Sequence, residues 1–173
     1  MFSDWGLSWG GWIDNRRGEW WLLAQLLLIA AHLLPPKPTP ATWGLEIWPR
    51  PLFLLGAALL ITGVVLAGLA FKSLGSSLSP LPMPKPGNQL ILNGPYQRCR
   101  HPMYQAVLVC SLGMVVAFGS LLHLLLLLGL VLVLGGKARR EEQALTQLHS
   151  DYMAYQRQTP AIVPNVPWLD WRS

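Results

Sequence analysis

Two clusters of ionisable residues lie on either side of a long uncharged stretch. The first is a basic, aromatic loop that contains His101, and the second contains the adjacent pair Glu141 and Glu142. Residues 103–136 between them include no Asp, Glu, Lys or Arg. If this stretch crosses a membrane and returns, both clusters reach the same face. The sequence therefore predicts one polar site that is assembled from two distant segments.

The loop around His101 is suited to an anionic group. Pro102 favours an extended backbone at His101 and can occupy the first turn of the helix that follows. Arg100 and His101 then lie at a helix N-terminus, where unpaired N–H groups and the helix dipole attract negative charge. Tyr96 and Tyr104 add hydroxyl groups and flat apolar faces. The alternative interpretation is a basic anchor at the membrane surface, with the tyrosines in the interfacial aromatic belt.

The acidic pair supplies the opposite charge. Adjacent acidic residues on a membrane-proximal helix commonly form a solvated face, and Lys137 and Glu141 have the i, i+4 spacing of an ordinary helical ion pair. A zwitterionic ligand, however, needs a carboxylate beside its ammonium group and a cation or N–H groups beside its carboxylate. The two clusters together provide both.

The composition indicates a membrane protein. The chain has 173 residues, of which 52% are hydrophobic and 12% charged, whereas a soluble domain has about 25% charged residues. The formal charge of +5 lies beside apolar segments, so membrane lipids are expected partners and nucleic acid is not. Two cysteines do not make a disulfide framework. No Cys/His spacing typical of zinc is present, so no metal is expected. The sequence leaves the oligomeric state open.

The apolar runs predict a single all-α, integral-membrane domain with about four transmembrane helices. The segments are an interfacial stretch at 1–19, transmembrane helices at 20–34, 51–71, 102–118 and 121–136, and a cytosolic helix at 137–158 that completes the cofactor site. As one helix, residues 103–136 would be about 50 Å long, well beyond a hydrocarbon core of about 30 Å. Gly119 and Ser120 are therefore predicted to form the turn of a tight hairpin, and one tilted or kinked helix is the alternative.

Several further residues within the apolar runs are predicted to have packing roles. Gly56, Gly63 and Gly68 in the second run are expected to allow close helix packing. His32 and His123 are expected to have packing or interfacial roles at the far ends of their helices. Cys99 is expected to fill space in the loop rather than act as a nucleophile.

Loop charges predict the orientation. With four spans, the N-terminus, the loop at 72–102 and the C-terminal tail share one side, and this side carries eleven of the 13 Lys and Arg residues. The other side carries Lys37 and Arg50. The positive-inside rule then predicts an active site that faces the cytoplasm.

Several short motifs occur in the order found in a known enzyme family. They are Asn93-Gly94-Pro95-Tyr96, Arg100-His101-Pro102-x-Tyr104, Glu141-Glu142-x-x-Leu145, Asp151-Tyr152-x-x-Tyr155 and Ile162-Val163-Pro164. In this order, with a hydrophobic hairpin before the acidic pair, they resemble the isoprenylcysteine carboxyl methyltransferase family. The related phospholipid N-methyltransferases share much of the pattern. The similarity covers roughly residues 51–164.

The resemblance implies an integral-membrane methyltransferase that uses S-adenosylmethionine. The cofactor-binding residues that it implies are Tyr96, His101, Pro102, Met103, Tyr104 and Glu141, with Glu142 assisting and the backbone near 88–91 as a further contact. In family members that methylate prenylated cysteine, a basic residue four positions before the cofactor glutamate helps to hold the substrate. That position is Lys137 in this chain, and Arg139 or Arg140 could compensate for the absence of arginine there.

Methyl transfer from a sulfonium is an in-line displacement, so the protein mainly supplies position and electrostatics. The predicted acceptor is a lipophilic molecule, with the carboxylate of an isoprenylcysteine-like substrate preferred. Such a carboxylate is already ionised and needs a cation to orient it, for which Arg100, Lys137 and Arg140 are the predicted residues. The alternatives are a phospholipid or small-amine N-methyltransferase and a non-enzymatic membrane protein that retains the fold.

Overall fold

The computed structural model describes residues 13–15, 17–43, 48–77, 79–83 and 89–172, and these include no β-strand. Five α-helices have both ends within these ranges: α1 (Glu19–Ala31), α2 (Arg50–Leu74), α3 (Pro102–Phe118), α4 (Leu121–Leu148) and α5 (Tyr152–Gln158). Short 3-10 turns occupy Pro40–Trp43, Gly75–Ser77 and Gly94–Gln97. The predicted all-α class is confirmed, whereas the interfacial segment at 1–19 lies largely outside the described residues.

The hairpin between α3 and α4 turns at the predicted position. Gly119 adopts a left-handed backbone with φ of 56° and ends α3, a conformation that glycine reaches without steric cost. A Cβ atom at this position would lie 2.6 Å from the ring of Trp48. Ser120 caps the N-terminus of α4, and its hydroxyl accepts a hydrogen bond from the His123 N–H at 3.5 Å. The two helices are therefore antiparallel neighbours, as the length argument required.

The ends of the first two helices differ from the prediction. The first helix ends at Ala31 and not at residue 34, because Pro35 and Pro36 disfavour helical backbone in the residues before them. The second continues past residue 71 to Leu74, where Gly75 with φ of 52° ends it.

The predicted cytosolic helix at 137–158 is divided. Its first part belongs to α4, which runs without interruption to Leu148. His149 is extended, with φ of −128°, and Ser150 and Asp151 have side chains that compete for backbone hydrogen bonds and so disfavour helix interiors. The second part is the separate short helix α5.

Two helices are long and apolar enough to cross a membrane, α2 with 25 residues and α4 with 28. Shorter apolar helices are α1 with 13 residues and α3 with 17, which correspond to about 20 and 26 Å and fall short of a hydrocarbon core of about 30 Å. Four spans are thus not established. The outer face of α2 exposes large apolar side chains, including Leu54 at 66% and Ile61 at 67%, as expected of a helix in lipid. These features indicate membrane association.

Small residues bring α2 and α3 together. A Cβ atom at Gly56 would lie 2.6 Å from the Ala117 Cβ, and one at Gly63 would lie 2.4 Å from the Cys110 Sγ. The predicted packing roles of Gly56 and Gly63 are confirmed. The prediction for Gly68 is wrong, because a Cβ atom there meets nothing within 4 Å.

His32 and His123 pack against each other, with ring centroids 5.6 Å apart. His32 Nε2 lies 2.6 Å from the Ser111 hydroxyl and its Nδ1 lies 2.8 Å from the Leu28 carbonyl. His123 is fully buried. The packing role expected for the two histidines agrees with these contacts.

The chain ends in a segment that we call the C-terminal tail, residues 159–172. Its Ala161, Ile162 and Leu169 are buried in the main apolar cluster with residues of α3 and α4. The Arg100 N–H donates to the Pro160 carbonyl, and the His101 N–H donates to the Ala161 carbonyl, both at 2.9 Å. The tail therefore holds the loop before α3 against the C-terminal half of α4.

Candidate active site

The two ionisable clusters meet at one end of the hairpin. Because α4 runs antiparallel to α3, its C-terminal half returns to the loop that precedes α3. His101 Nε2 lies 2.9 Å from Glu142 Oε1, and the Tyr104 hydroxyl donates to Glu141 Oε2 at 2.7 Å. Segments about 40 residues apart in sequence thus form one polar site.

Glu142 is the centre of a buried hydrogen-bond network, and its side chain is 3% exposed. Oε1 accepts from Arg100 Nε at 2.6 Å and from His101 Nε2. Oε2 accepts from Arg100 Nη2 at 3.1 Å, Gln156 Nε2 at 3.0 Å and Trp171 Nε1 at 2.6 Å. A buried carboxylate is stable when its charge and lone pairs are matched in this way. The network joins the loop, α4, α5 and the C-terminal tail.

Arg100 is fully engaged with this network. Its side chain is buried, and its Nη1 donates to the carbonyls of Gln156 and Thr159 in addition to the two bonds to Glu142. The structure gives Arg100 a structural role that the sequence did not predict. Its role in orienting an acceptor stays a prediction.

The imidazole of His101 is held at Nε2 by Glu142 and on one face by the ring of Tyr104. The Glu142 carboxylate is an acceptor, so Nε2 is the protonated nitrogen in the contact between them. His101 Nδ1 lies 3.8 Å from Glu141 Oε2. The ring stacks parallel to that of Tyr104, with centroids 5.3 Å apart and 1° between the planes. His101, Tyr104 and Glu141 therefore form one wall of fixed geometry.

Lys137 lies one turn before Glu141 on the same face of α4. It is buried, and its Nζ donates to Gln25 Oε1 at 2.7 Å and to the Pro80 carbonyl at 2.9 Å. The ammonium group also lies 5.2 Å from the centroid of the Tyr104 ring. This position connects α1 and the loop at 79–83 to the polar wall.

Two adjoining cavities open onto this wall. The larger, of about 300 Å³, lies between α1, α2, α3 and α4. The smaller, of about 60 Å³, is bordered by Gln89, Leu90 and Ile91 and by the two tyrosines of α5. Both are lined by Leu74, Ser79, Tyr96, Arg100, His101 and Glu141. We call the two together the cleft.

A third cavity, of about 370 Å³, lies farther towards the other end of the helices. It shares Val107 with the larger cavity of the cleft. Its lining is almost entirely apolar, and His32 and Ser111 contribute polar groups to it. We call it the apolar cavity.

The residues predicted for the site fall into two groups. The cleft is lined by Tyr96, Arg100, His101, Met103, Tyr104, Lys137 and Glu141. Pro102, Glu142 and Arg140 do not line it: Pro102 begins α3, and Glu142 faces the buried network. Of the backbone predicted near 88–91, residues 89–91 border the smaller cavity, and Asn88 lies outside the described residues.

Sequence reasoning missed Gln25 and Trp171. Gln25 is the single polar residue in an otherwise apolar run at 20–31, and that exception was an available signal. Trp171 is one of nine tryptophans, and no local pattern distinguishes it from the others.

Burial keeps the neutral groups around the cleft protonated. It raises the pKa of Cys99 to about 12, and the thiol donates to the Ala161 carbonyl at 3.1 Å. Burial, followed by the charge of Glu141, raises the pKa of the Tyr96 hydroxyl, and burial raises that of Tyr155. The Tyr155 hydroxyl donates to the Tyr96 carbonyl. Cys99 is thus a packing group at neutral pH, in agreement with its expected role.

The fold and the cleft define a class: a helical, membrane-associated protein with a two-part polar cleft at one end of a helical hairpin. Within the described part of the chain, no group of three or more His, Cys, Asp or Glu residues could hold a metal ion. The chemistry available to the cleft is binding and orientation by carboxylate, ammonium, imidazole and phenol groups.

The chain belongs to the phospholipid methyltransferase family, whose model matches residues 52–151. This match includes both ionisable clusters and the hairpin between them. It confirms the resemblance to the superfamily that contains isoprenylcysteine and phospholipid methyltransferases. The family's description is that of a methyltransferase.

Two curated relatives are similar over part of their length. The nickel-cobalt-cadmium resistance protein NccN of Alcaligenes xylosoxydans xylosoxydans is 27% identical over 158 residues, which cover 88% of this chain and 66% of the relative. The cobalt-zinc-cadmium resistance protein CzcN of Cupriavidus metallidurans is 32% identical over 84 residues, 46% of this chain and 37% of the relative. The chain thus spans less than two thirds of either relative. No solved structure matches it significantly.

Proposed function

We propose that the chain binds S-adenosylmethionine in the cleft and transfers its methyl group to a lipophilic acceptor. The observation that carries this proposal is the wall formed by His101, Tyr104 and Glu141, because it joins the two sequence motifs. His101 and Glu141 line both cavities, and Tyr104 lines the larger one. Of the residues implied by the family resemblance, Tyr96, His101, Met103, Tyr104 and Glu141 line the space where a cofactor would lie.

The bound cofactor would supply an activated methyl group. Glu141 provides the negative charge that a sulfonium or an ammonium group requires, and its exposed fraction of 27% leaves it accessible from the cleft. Tyr104 fixes the Glu141 carboxylate by hydrogen bonding to one oxygen. Burial of the surrounding groups strengthens such charge interactions, since the local dielectric constant is lower than that of water.

The acceptor that we prefer carries a carboxylate and one hydrocarbon chain, as an isoprenylcysteine-like substrate does. Lys137 supports this choice, because it is a buried cation on the wall of the larger cavity. The apolar cavity would hold the hydrocarbon chain, since it adjoins the larger cavity at Val107. Arg140 does not line the cleft, so we assign it no contact with the acceptor.

A phospholipid amine is the second candidate acceptor, and the description of the matching family favours it. An amine must lose a proton before or during methylation, and a nearby carboxylate can accept it. Glu141 lines the larger cavity and could serve in this role. The same cofactor residues support both candidates.

Cofactor binding is the first test. Purified full-length protein in lipid nanodiscs would be titrated with S-adenosylmethionine by calorimetry, beside the double variant His101→Ala with Glu141→Gln. The wild type should bind, and the double variant should lose binding. Gln143→Ala is a matched control, because Gln143 is exposed on the same helix and should leave binding unchanged. Equal binding by the wild type and the double variant would remove the site, and no binding by the wild type would favour a non-enzymatic protein.

The acceptor is identified by products. Nanodisc protein and methyl-labelled cofactor would be given either an S-farnesylcysteine analogue with a free carboxylate or vesicles that contain phosphatidylethanolamine. Base-labile methyl label in the first assay indicates a methyl ester and supports the carboxylate acceptor. Base-stable label in the lipid fraction alone overturns that choice in favour of the amine.

We further propose that the cleft faces the cytoplasm, on the basis of the loop charges. Arg98 lies in the loop before α3 and is exposed. An Arg98→Cys variant should react with a membrane-impermeant maleimide in lysed cells and stay unlabelled in intact cells. Labelling of intact cells would reverse the orientation.

Both relatives are named as metal-resistance proteins, and we propose that methyl transfer by this chain supports metal tolerance through its lipophilic product. Cells that lack the chain should become more sensitive to cobalt and cadmium. The wild-type gene should restore tolerance, and a Glu141→Gln gene should fail to do so. Equal rescue by both genes would separate tolerance from methyl transfer.

A further inference from the structure

Trp171, near the end of the C-terminal tail, contacts both ionisable clusters. Its indole N–H donates to Glu142 Oε2 at 2.6 Å. Its ring lies 6.5 Å from that of His101 and 5.8 Å from the guanidinium carbon of Arg100. The guanidinium carbon of Arg139 lies 4.6 Å from the same ring. Trp171 also lies beyond the residues 52–151 that the family model covers.

The tail fixes this tryptophan through its own hydrogen bonds. The N–H groups of Ile162 and Val163 donate to the Leu169 carbonyl at 2.9 and 3.2 Å. The Asp170 carboxylate accepts from the Asn165 N–H at 3.0 Å. Leu169 is 5% exposed and belongs to the main apolar cluster. The two residues before Trp171 are thus anchored, and the indole is directed at Glu142 by an ordered segment.

We propose that Trp171 is a positioning residue for methyl transfer, acting through Glu142 on the imidazole of His101. This proposal rests on the proposed function of the cleft. Trp171 makes the shortest of the three hydrogen bonds to Glu142 Oε2, and Oε1 of the same carboxylate holds His101 Nε2. Loss of the indole N–H lets the carboxylate rotate, and His101 together with the stacked Tyr104 ring then loses its fixed place in the wall of the cleft.

Trp168 provides a matched control. Its ring lies 3.8 Å from the guanidinium carbon of Arg139, so both tryptophans stack on the same arginine. Its indole N–H donates to the Val131 carbonyl at 3.2 Å, away from Glu142. Replacement of either residue by phenylalanine removes one indole donor and keeps an aromatic ring, and of the two donors only that of Trp171 bonds to Glu142.

The test compares Trp171→Phe with Trp168→Phe in nanodiscs. We expect Trp171→Phe to raise the Kd for S-adenosylmethionine about five- to tenfold, less than the full contribution of a hydrogen bond to a charged group, because Trp171 acts on the cofactor only through Glu142 and His101. Trp168→Phe should stay within about twofold of the wild type on the same reasoning. Melting temperatures of both variants without cofactor report any general structural effect. Equal changes in Kd for the two variants would overturn the proposal.

A second measurement is independent of the cofactor. Nitrogen NMR of protein labelled in its histidines reports which ring nitrogen carries the proton, and a His101→Gln variant assigns the signal. The wild type should show His101 protonated at Nε2, and Trp171→Phe should show a mixture of tautomers. An unchanged His101 signal in Trp171→Phe overturns the positioning role. Absence of cofactor binding by the wild type would instead count against the proposed function and leave this measurement to decide the role of Trp171.

Discussion

Glu141 and Glu142 are neighbours in sequence and occupy opposite kinds of environment. The side chain of Glu141 is 27% exposed, borders the cleft and receives the Tyr104 hydroxyl. The side chain of Glu142 is 3% exposed and accepts hydrogen bonds from four residues of the loop, α5 and the tail. Consecutive residues on a helix point about 100° apart, so one helix can present one carboxylate to ligand and the next to the protein interior.

The two faces of α4 continue this division. Lys137, Glu141 and Leu145 are four residues apart, lie on one face and line the cleft. Ala138 and Glu142 lie on the next face and are buried against the loop and the tail. The first face has groups that a ligand could use, whereas the second holds the first in place. Substitutions on the two faces should therefore affect different measured quantities.

The largest effect is expected for Glu142→Ala. It leaves the Arg100 guanidinium buried without its carboxylate partner, and breaking a buried ion pair in this way costs about 3–5 kcal/mol of unfolding free energy. Denaturant titration in detergent micelles, followed by circular dichroism, measures the loss. A loss below about 1 kcal/mol would be no larger than that of an ordinary surface ion pair. The buried and cleft-lining faces of α4 would then not differ in their contribution to stability.

Glu141→Gln should show the converse behaviour. The amide can still accept from Tyr104, so the unfolding free energy should change by less than about 1 kcal/mol. The lost charge should weaken S-adenosylmethionine binding about 10- to 100-fold, the range for a hydrogen bond to a charged group. Calorimetry and the same denaturant titration give the two numbers. A variant that binds normally and unfolds easily would reverse the assignment of the two carboxylates.

Lys137→Met should affect binding of the acceptor and leave binding of the cofactor nearly unchanged. The substitution keeps the length and apolar stem of the side chain and removes the cation that we propose for the acceptor carboxylate. We expect KM for a farnesylcysteine analogue to rise about tenfold, since a charge-assisted contact is lost, with little change in the Kd for cofactor. An amine acceptor has no carboxylate for Lys137 to orient, and an unchanged KM would then favour the second candidate.

The sequence predicted the parts of this arrangement that depend on local patterns. Uncharged residues 103–136 predicted the hairpin, and Gly119 supplied its turn. The ionisable clusters then had to share one end, which the His101 and Tyr104 contacts bear out. Gly56 and Gly63 were predicted as packing positions because small residues let helices approach.

The sequence could not predict which of the two carboxylates is buried and which borders the cleft. That difference depends on which face of α4 the tail covers. The tail has no apolar periodicity, and its place is set by long-range hydrogen bonds such as that from the Arg100 N–H to the Pro160 carbonyl. Gly68 lies five residues after Gly63, about 140° around the helix from the face that Gly56 and Gly63 share, and a Cβ atom placed there meets no described residue within 4 Å. Helix spacing alone predicts a face, and the neighbouring elements decide what covers it.

The smallest effect concerns Cys99 and appears at alkaline pH. Cys99 lies with Glu142 in the buried region between the loop and the tail, because its thiol donates to the Ala161 carbonyl of the tail. Burial raises its pKa from 9.0 to about 12, so between these values the folded protein keeps a proton that the unfolded chain releases. The contribution of Cys99 to the free energy of unfolding is therefore fully present below pH 9 and is lost as the pH rises towards 12.

Comparison of the wild type with Cys99→Ala isolates this contribution. Between pH 8 and pH 10 the wild type should lose roughly 1 kcal/mol more unfolding free energy than the variant, because the alanine has no proton to release and the tyrosines contribute equally to both. Denaturant titrations at the two pH values measure the difference. Parallel curves would mean that the thiol is solvated in the folded protein, and the tail would then not seal the interior face of the site as the contacts of Cys99 and Glu142 require.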